Sequence, residues 1–174
     1  MALWKFTKNE KLRNLLQDNW NDLVVDREYI ALIEGDLDKD EGTIVSWLRE
    51  SSTNLMYSAS KKGDGQKAVT KYKVIQKNEK YSLVDVHIET GRKNQIRVHF
   101  KEKGHPIVGD EKYQATLYTI GRLGLHARKL SLKNPLNNEI MDFVCNEDPI
   151  FKKVFDKNFV EIKPKTTKKE KKKK

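Results

Sequence analysis

Alternation of apolar and polar side chains is the dominant pattern along this chain. In REYIALIEG, Tyr29, Ala31 and Ile33 share one face and Ile30 and Leu32 the other, so the segment reads as a strand apolar on both sides and central to a sheet. KAVTKYKVIQK places Ala68, Thr70, Tyr72 and Val74 on one side. YSLVDVHIE sets Val84, Val86 and Ile88 against Asp85, His87 and Glu89, and the polar link QKNEK predicts that these two segments pair as an antiparallel hairpin. GRLGLHARKLSL and EIMDFVC, joined by KNPLNN, predict a second hairpin. Between Gly35 and Gly65 the text is polar and reads as a surface excursion, with GTIVSWL as a short strand. Helical periodicity is sparser. Thr7 and Glu10 form a capping box ahead of Leu12, Leu15, Leu16 and Trp20, and before them MALWKF reads as the end of a strand. Ile96, His99 and Phe100 recur at helical spacing, with Gly104 as a left-handed stop and Pro106 beyond it. Asp148 as cap and Pro149 at the first helical position open a closing helix with Ile150, Val154 and Phe155 inward. Strands outweigh helices without a regular strand-helix alternation, which predicts an α+β fold, and no internal repeat is present.

Length and charge refine this picture. The 174 residues suit one domain, 1–162, followed by a Lys-rich tail, 163–174, with no apolar residue to bury and therefore expected to be disordered. Of the net charge of +10, the tail carries +7, so the basic excess is mostly a tail that either attracts phosphate without regard to sequence or only keeps the protein solvated. No apolar run approaches the roughly 18 residues of a membrane span, and the start lacks a signal-peptide pattern, so no membrane partner and a cytoplasmic location are expected. Cys145 is the only cysteine, which excludes an internal disulfide and a Cys-based metal cluster; it reads as a small buried hydrophobe.

The chemistry concentrates in 85–113. Arg92, Lys93 and Arg97 cluster where a strand gives way to a helix, a place where backbone N–H groups and the helix dipole favour an anion. His87, His99, His105 and His126 lack metal-ligand spacing, and His99 and His126 read as structural histidines. Asp110 and Tyr113 read as residues that fix the GDEKY turn. No GxSxG elbow, Walker loop, HExxH or dinucleotide fingerprint occurs.

GRKNQIRVHF followed by GHPIVGDEKY resembles the signature of the RluA-type RNA pseudouridine synthases, GRxHQIRVHxxxxGxPIxGDxxY, with Asn94 where that family usually has His. REYIALIEG is similar to the family's KxYxALVxG strand, AVTKYKV to AxTxYxV, and LGLHARKLSLKNP to LxLHAxxLxxxHP, all in family order. The resemblance implies a mixed, mostly antiparallel bent sheet with flanking helices and an RNA-binding cleft across its middle. It implies catalytic roles for Arg97, as the arginine that holds the catalytic carboxylate, and for Tyr29, which packs against the target base. It implies RNA contacts for Arg92, Lys93, Asn94, Gln95 and His126, a ribosomal or transfer RNA partner, and chemistry without metal or redox cofactor. The family's catalytic aspartate lies in an HRLDxxTSG motif that this sequence does not contain; its place would fall upstream of Met1. The chain by itself is therefore expected to be inactive, or, alternatively, to be a non-catalytic RNA-binding protein. ALWKF, read as an interior strand whose family neighbours are missing from this sequence, is expected to leave an apolar edge prone to self-association.

Overall fold

The computed structural model describes residues 9–162. Seven strands form one sheet in the order β3-β2-β4-β5-β1-β6-β7: β1 (Val24–Glu34), β2 (Glu41–Glu50), β3 (Met56–Ser58), β4 (Gln66–Lys77), β5 (Tyr81–Ile88), β6 (Leu125–Lys133) and β7 (Ile140–Val144). Every pairing between these strands is antiparallel, and among the described residues the one parallel contact is an isolated bridge from Ile120 to Ile162. The fold is α+β, as the strand-rich pattern predicts. Both expected hairpins are present, β4 against β5 and β6 against β7.

β1 is central, as its two apolar faces require. Its even residues Ile30 and Leu32 pack with Leu83, Val108, Phe151 and Val154 on one side of the sheet. Its odd residues Ala31 and Ile33 pack with Val84, Val86, Ile96 and Phe100 on the other. That second side is covered by α3 (Gln95–Glu102), which ends where Gly104 adopts φ +83°. The short closing helix α4 (Ile150–Lys153) packs on the first side, and α1 (Glu10–Asp18) and α2 (Trp20–Leu23) bury Leu16 and Leu23 in a separate cluster against Leu132. On α4 it is Phe151 and Val154 that are fully covered, while Ile150 and Phe155 are partly so; the chain bends too soon for a long helical face.

Four expectations are corrected. Segment 35–65 is no surface excursion: β2 is a ten-residue inner strand between β3 and β4, with Ile44 and Leu48 in the core. Its short side chains Gly42 and Ser46 share that inward face and disguise the alternation. The cap of α1 is Asn9, whose side-chain oxygen accepts from the backbone N–H groups of Lys11 and Leu12, whereas Thr7 lies outside the described residues. Leu15 is exposed, because α1 stops after nine residues and only Leu12, Leu16 and the following Trp20 reach the sheet. Cys145 is exposed, just past the end of the outer strand β7. That outer strand also exposes Ile140, Phe143 and Val144. ALWKF and the Lys-rich tail fall outside the described residues. Among those residues no helix is long and apolar enough to cross a membrane.

His99 ties α3 to the sheet and carries a testable pH dependence. It is 1% exposed, and its ring nitrogens lie 2.8 Å from Thr70 Oγ1 and 2.9 Å from Ser46 Oγ. Burial pushes its pKa down to about 4, only partly opposed by Glu102. The folded state keeps this ring neutral while the unfolded chain protonates it near the ordinary value of 6.5. Its contribution is complete above that value and is lost as pH falls toward 4, in total on the order of 3 kcal/mol. Urea midpoints followed from neutral pH to about pH 5 are expected to drop for the wild type and to stay flatter for His99→Gln.

Candidate nucleotide-binding cleft

The turn after β5 is held open by one buried amide. Gln95 is 2% exposed; its nitrogen donates to the Val69 carbonyl and to Thr70 Oγ1, both at 2.9 Å. Its oxygen accepts from Thr90 Oγ1 at 2.7 Å and from the Arg92 backbone N–H at 3.1 Å. All four bonding positions of the amide face protein, so Gln95 shapes the loop from below and has no group left to offer an RNA. Replacing it with Ala removes the acceptor of the Arg92 N–H and one partner each from Thr90, Thr70 and the Val69 carbonyl, and is expected to lower stability by about 1–3 kcal/mol, read as a fall in denaturant midpoint.

Asn94 follows in the left-handed conformation, φ +54°, which Asn tolerates well. Its side-chain oxygen accepts from Arg97 Nη1 at 3.2 Å. Arg97 is held along a second edge by Asp110, with Nε donating to Oδ2 at 2.7 Å and Nη2 to Oδ1 at 2.5 Å. The Tyr113 ring lies below it, 4.8 Å from the guanidinium carbon. The Asp110 carboxylate raises the pKa of Arg97 above its ordinary value, although burial opposes it. Asp110 itself is fully buried and also accepts from the Tyr113 backbone N–H at 3.3 Å, so it does tie the turn as expected.

The sheet positions this carboxylate. Segment 106–108 is stitched to β1 through Glu34 N–H to the Pro106 carbonyl at 2.9 Å and Val108 N–H to the Leu32 carbonyl at 2.9 Å. Gly109 then turns at φ +76°, and a Cβ there would stand 2.4 Å from the Arg122 carbonyl oxygen, so only glycine fits. Asp110 is thereby delivered to Arg97 from thirteen residues away.

Tyr29 lies on the α3 side of β1, opposite Val86 on β5 and Ala127 on β6. Burial raises its pKa, against the opposing charge of Arg27. Arg27, two residues earlier, rests its guanidinium on Gly91, where a Cβ would come within 2.8 Å of Nη1. Arg92 donates from Nε to the Lys67 carbonyl at 3.1 Å, at an exposed position. Lys93 pairs with Glu50. His126 is separated from this group: it occupies the other face of β6, with its Nε2 at the Cys145 carbonyl and its ring 6.3 Å from Phe151. The alternation of β6 carries the reason, because its neighbour Ala127 is the residue that faces the Tyr29 side. Arg92, Asn94 and Arg97 thus stand together at the start of α3, braced by Gln95 and Asp110, while Tyr29 lies on the sheet face that α3 covers; Arg27, which the motif reading passed over, shares that strand face and reaches Gly91 beside Arg92.

Among the described residues one group has ligand atoms close enough for a metal, Asp26, Glu28 and His87, all partly exposed. His87 Nδ1 already lies 3.4 Å from Asp26 Oδ1, so an ordinary hydrogen bond accounts for the grouping.

Residues 4–102 match the RNA pseudouridylate synthase family. The chain is 35% identical over 136 residues to the uncharacterized RNA pseudouridine synthase YjbO of Bacillus subtilis, covering 78% of this chain and 48% of that protein. It is 35% identical over 156 residues to the uncharacterized RNA pseudouridine synthase MG209 homolog of Mycoplasma pneumoniae, covering 86% and 50%. The human RNA pseudouridylate synthase domain containing 1 shares the fold at a TM-score of 0.68 and 23% identity, over 83% of this chain and 64% of that one. The chain belongs to the RNA pseudouridylate synthase family. It spans about half the length of the curated relatives it matches.

Proposed function

We propose that this chain forms the nucleotide-facing wall of an enzyme that isomerises uridine to pseudouridine within RNA. The reaction breaks the bond from the base nitrogen to the ribose, rotates the uracil and closes a carbon-carbon bond; a proton leaves the base carbon and one is taken up on nitrogen, so nothing is oxidised. Its central requirement is a carboxylate poised at the sugar. The observation that carries this reading is the state of Arg97. Three of its five N–H donors are fixed by Asp110 and Asn94, and two remain, one on each terminal nitrogen, on a side chain 21% exposed. A guanidinium locked along one edge and open at its end is prepared to orient a second carboxylate through a charge-assisted bond.

In this reading Tyr29 packs against the extruded base, replacing the stacking lost when the nucleotide leaves the helix. Asn94 does not imitate the histidine usual at its position; it holds Arg97. The carboxylate is supplied by an HRLD-type segment, which this sequence lacks. The substrate is ribosomal or transfer RNA, the location is cytoplasmic, and self-association runs through the apolar edge at ALWKF, a segment outside the described residues. A second reading is favoured by Asp110: because Arg97 already has a buried carboxylate partner, Arg97 needs no catalytic carboxylate, and the chain serves as a non-catalytic RNA-binding surface. Mapping of pseudouridine in RNA treated with the chain, with and without an HRLD segment joined ahead of it, separates the two.

A further inference from the structure

Most cations around the cleft are already neutralised by the protein. Arg97 is paired with Asp110, Lys93 with Glu50, and Lys71 with Glu89. Arg27 is different: among the described residues no carboxylate pairs with its guanidinium. The adjacent Asp26 carboxylate accepts from the Arg27 backbone N–H at 2.8 Å and faces His87 on the other side of the sheet. The guanidinium lies in contact with Gly91, partly buried, with Tyr29 two residues along the same strand face. Arg92 is the second cation there, its Nε spent on the Lys67 carbonyl and its outer nitrogens without an acidic partner among the described residues. The two arginines are close enough for the charge of Arg92 to act on Arg27, in the same direction as burial. A partly desolvated guanidinium with a second guanidinium acting on it, and no carboxylate paired with either among the described residues, leaves an unmet demand for an anion.

We propose that Arg27 and Arg92 together form a phosphate-binding fork for the RNA backbone beside the base that Tyr29 receives. The inference rests on the RNA-facing reading above and adds a residue that reading did not contain. Planar guanidinium donors match two oxygens of one phosphodiester, which a lysine ammonium does not. The bare Gly91 matters because a side chain there would displace the Arg27 guanidinium from the loop carrying Arg92. Phosphate is preferred to a free carboxylate ligand because the fork lies on the same face as Tyr29, at the distance of a strand's two-residue step, where a nucleotide's backbone must run if its base meets that ring.

The test uses the 174-residue chain and a labelled, uridine-containing RNA hairpin, with binding followed by anisotropy over a potassium chloride series. Arg27→Ala is expected to weaken binding about tenfold at low salt and to reduce the salt slope by about one phosphate contact. Arg27→Lys is expected to keep the slope and recover only part of the affinity. Hairpins with single methylphosphonate linkages then locate the contact: one position should weaken the wild type by about the factor lost in Arg27→Ala, and weaken that variant no further. Urea midpoints check folding, and Arg27→Gln replaces Arg27→Ala if the latter unfolds. Wild-type binding with an unchanged slope in the variants, or a scan with no such position, overturns the fork and leaves the RNA-facing reading intact. Failure of the wild type to bind the hairpin overturns both.

Discussion

Ribosomal and transfer RNA incubated with the 174-residue chain are expected to emerge without new pseudouridine, while the same chain joined to an upstream HRLDxxTSG segment is expected to modify them. The difference should be on the order of 10⁴ or more, since losing a group that reacts covalently or moves the proton is not offset by the binding contacts that survive. Arg97 can orient and Tyr29 can stack, but neither supplies an oxygen to the sugar. In the joined protein Arg97→Ala should reduce turnover by about 10²–10³, the usual cost of removing one preorganised partner of developing charge, and should affect kcat more than KM. Chemical mapping of the RNA reads all three proteins. Site-specific turnover by the chain alone would place the reactive carboxylate within it, with Asp85 and Asp110 the first to replace.

Asp110→Ala is expected to destabilise the fold by about 3–5 kcal/mol, because it leaves the partly buried Arg97 cation facing a hole where a bidentate partner was. The loss also frees the turn, since the same carboxylate holds the Tyr113 N–H. Replacing both members of the pair, Asp110→Ala with Arg97→Met, should recover part of that loss, as no charge is then stranded. Denaturant midpoints of the two single variants and the double variant close the cycle. A double variant no more stable than Asp110→Ala would show that the turn, rather than the ion pair, carries the energy.

The strands that bear the cleft were legible because they alternate cleanly or are apolar throughout. β1, β4 and β5 show one pattern or the other, and the turn residues between β4 and β5 and between β6 and β7 announce the hairpins. The position of Arg97 at the mouth of α3 was legible too, from the spacing of Ile96, His99 and Phe100 and from the Gly104 stop. Its partner was not. Asp110 reads locally as a turn residue, and only the stitching of 106–108 to β1, together with the left-handed Gly109, brings it back against the helix. Gln95 carries a motif letter that implies contact with RNA, yet burial decides its role, and burial follows from the approach of β4, which the motif does not encode. His126 misleads in the opposite way: its strand was recognised, but which face it takes depends on its pairing with Ile30, which puts Ala127 rather than His126 on the Tyr29 side. Arg27 was available from alternation alone, two residues before Tyr29.

The position of β1 has a consequence for how the molecule is made. Of the seven strands it is the first to leave a ribosome, yet its two neighbours are β5 and β6, so one flank stays open until synthesis has passed residue 88 and the other until it has passed residue 133. Throughout that interval the apolar run from Tyr29 to Ile33 lacks its partners of the described sheet, while β2, β3 and β4 can already pair among themselves. The strand that carries Tyr29 and Arg27 is therefore the one most in need of protection in the nascent chain, and the cleft comes into being only when the sixth strand arrives.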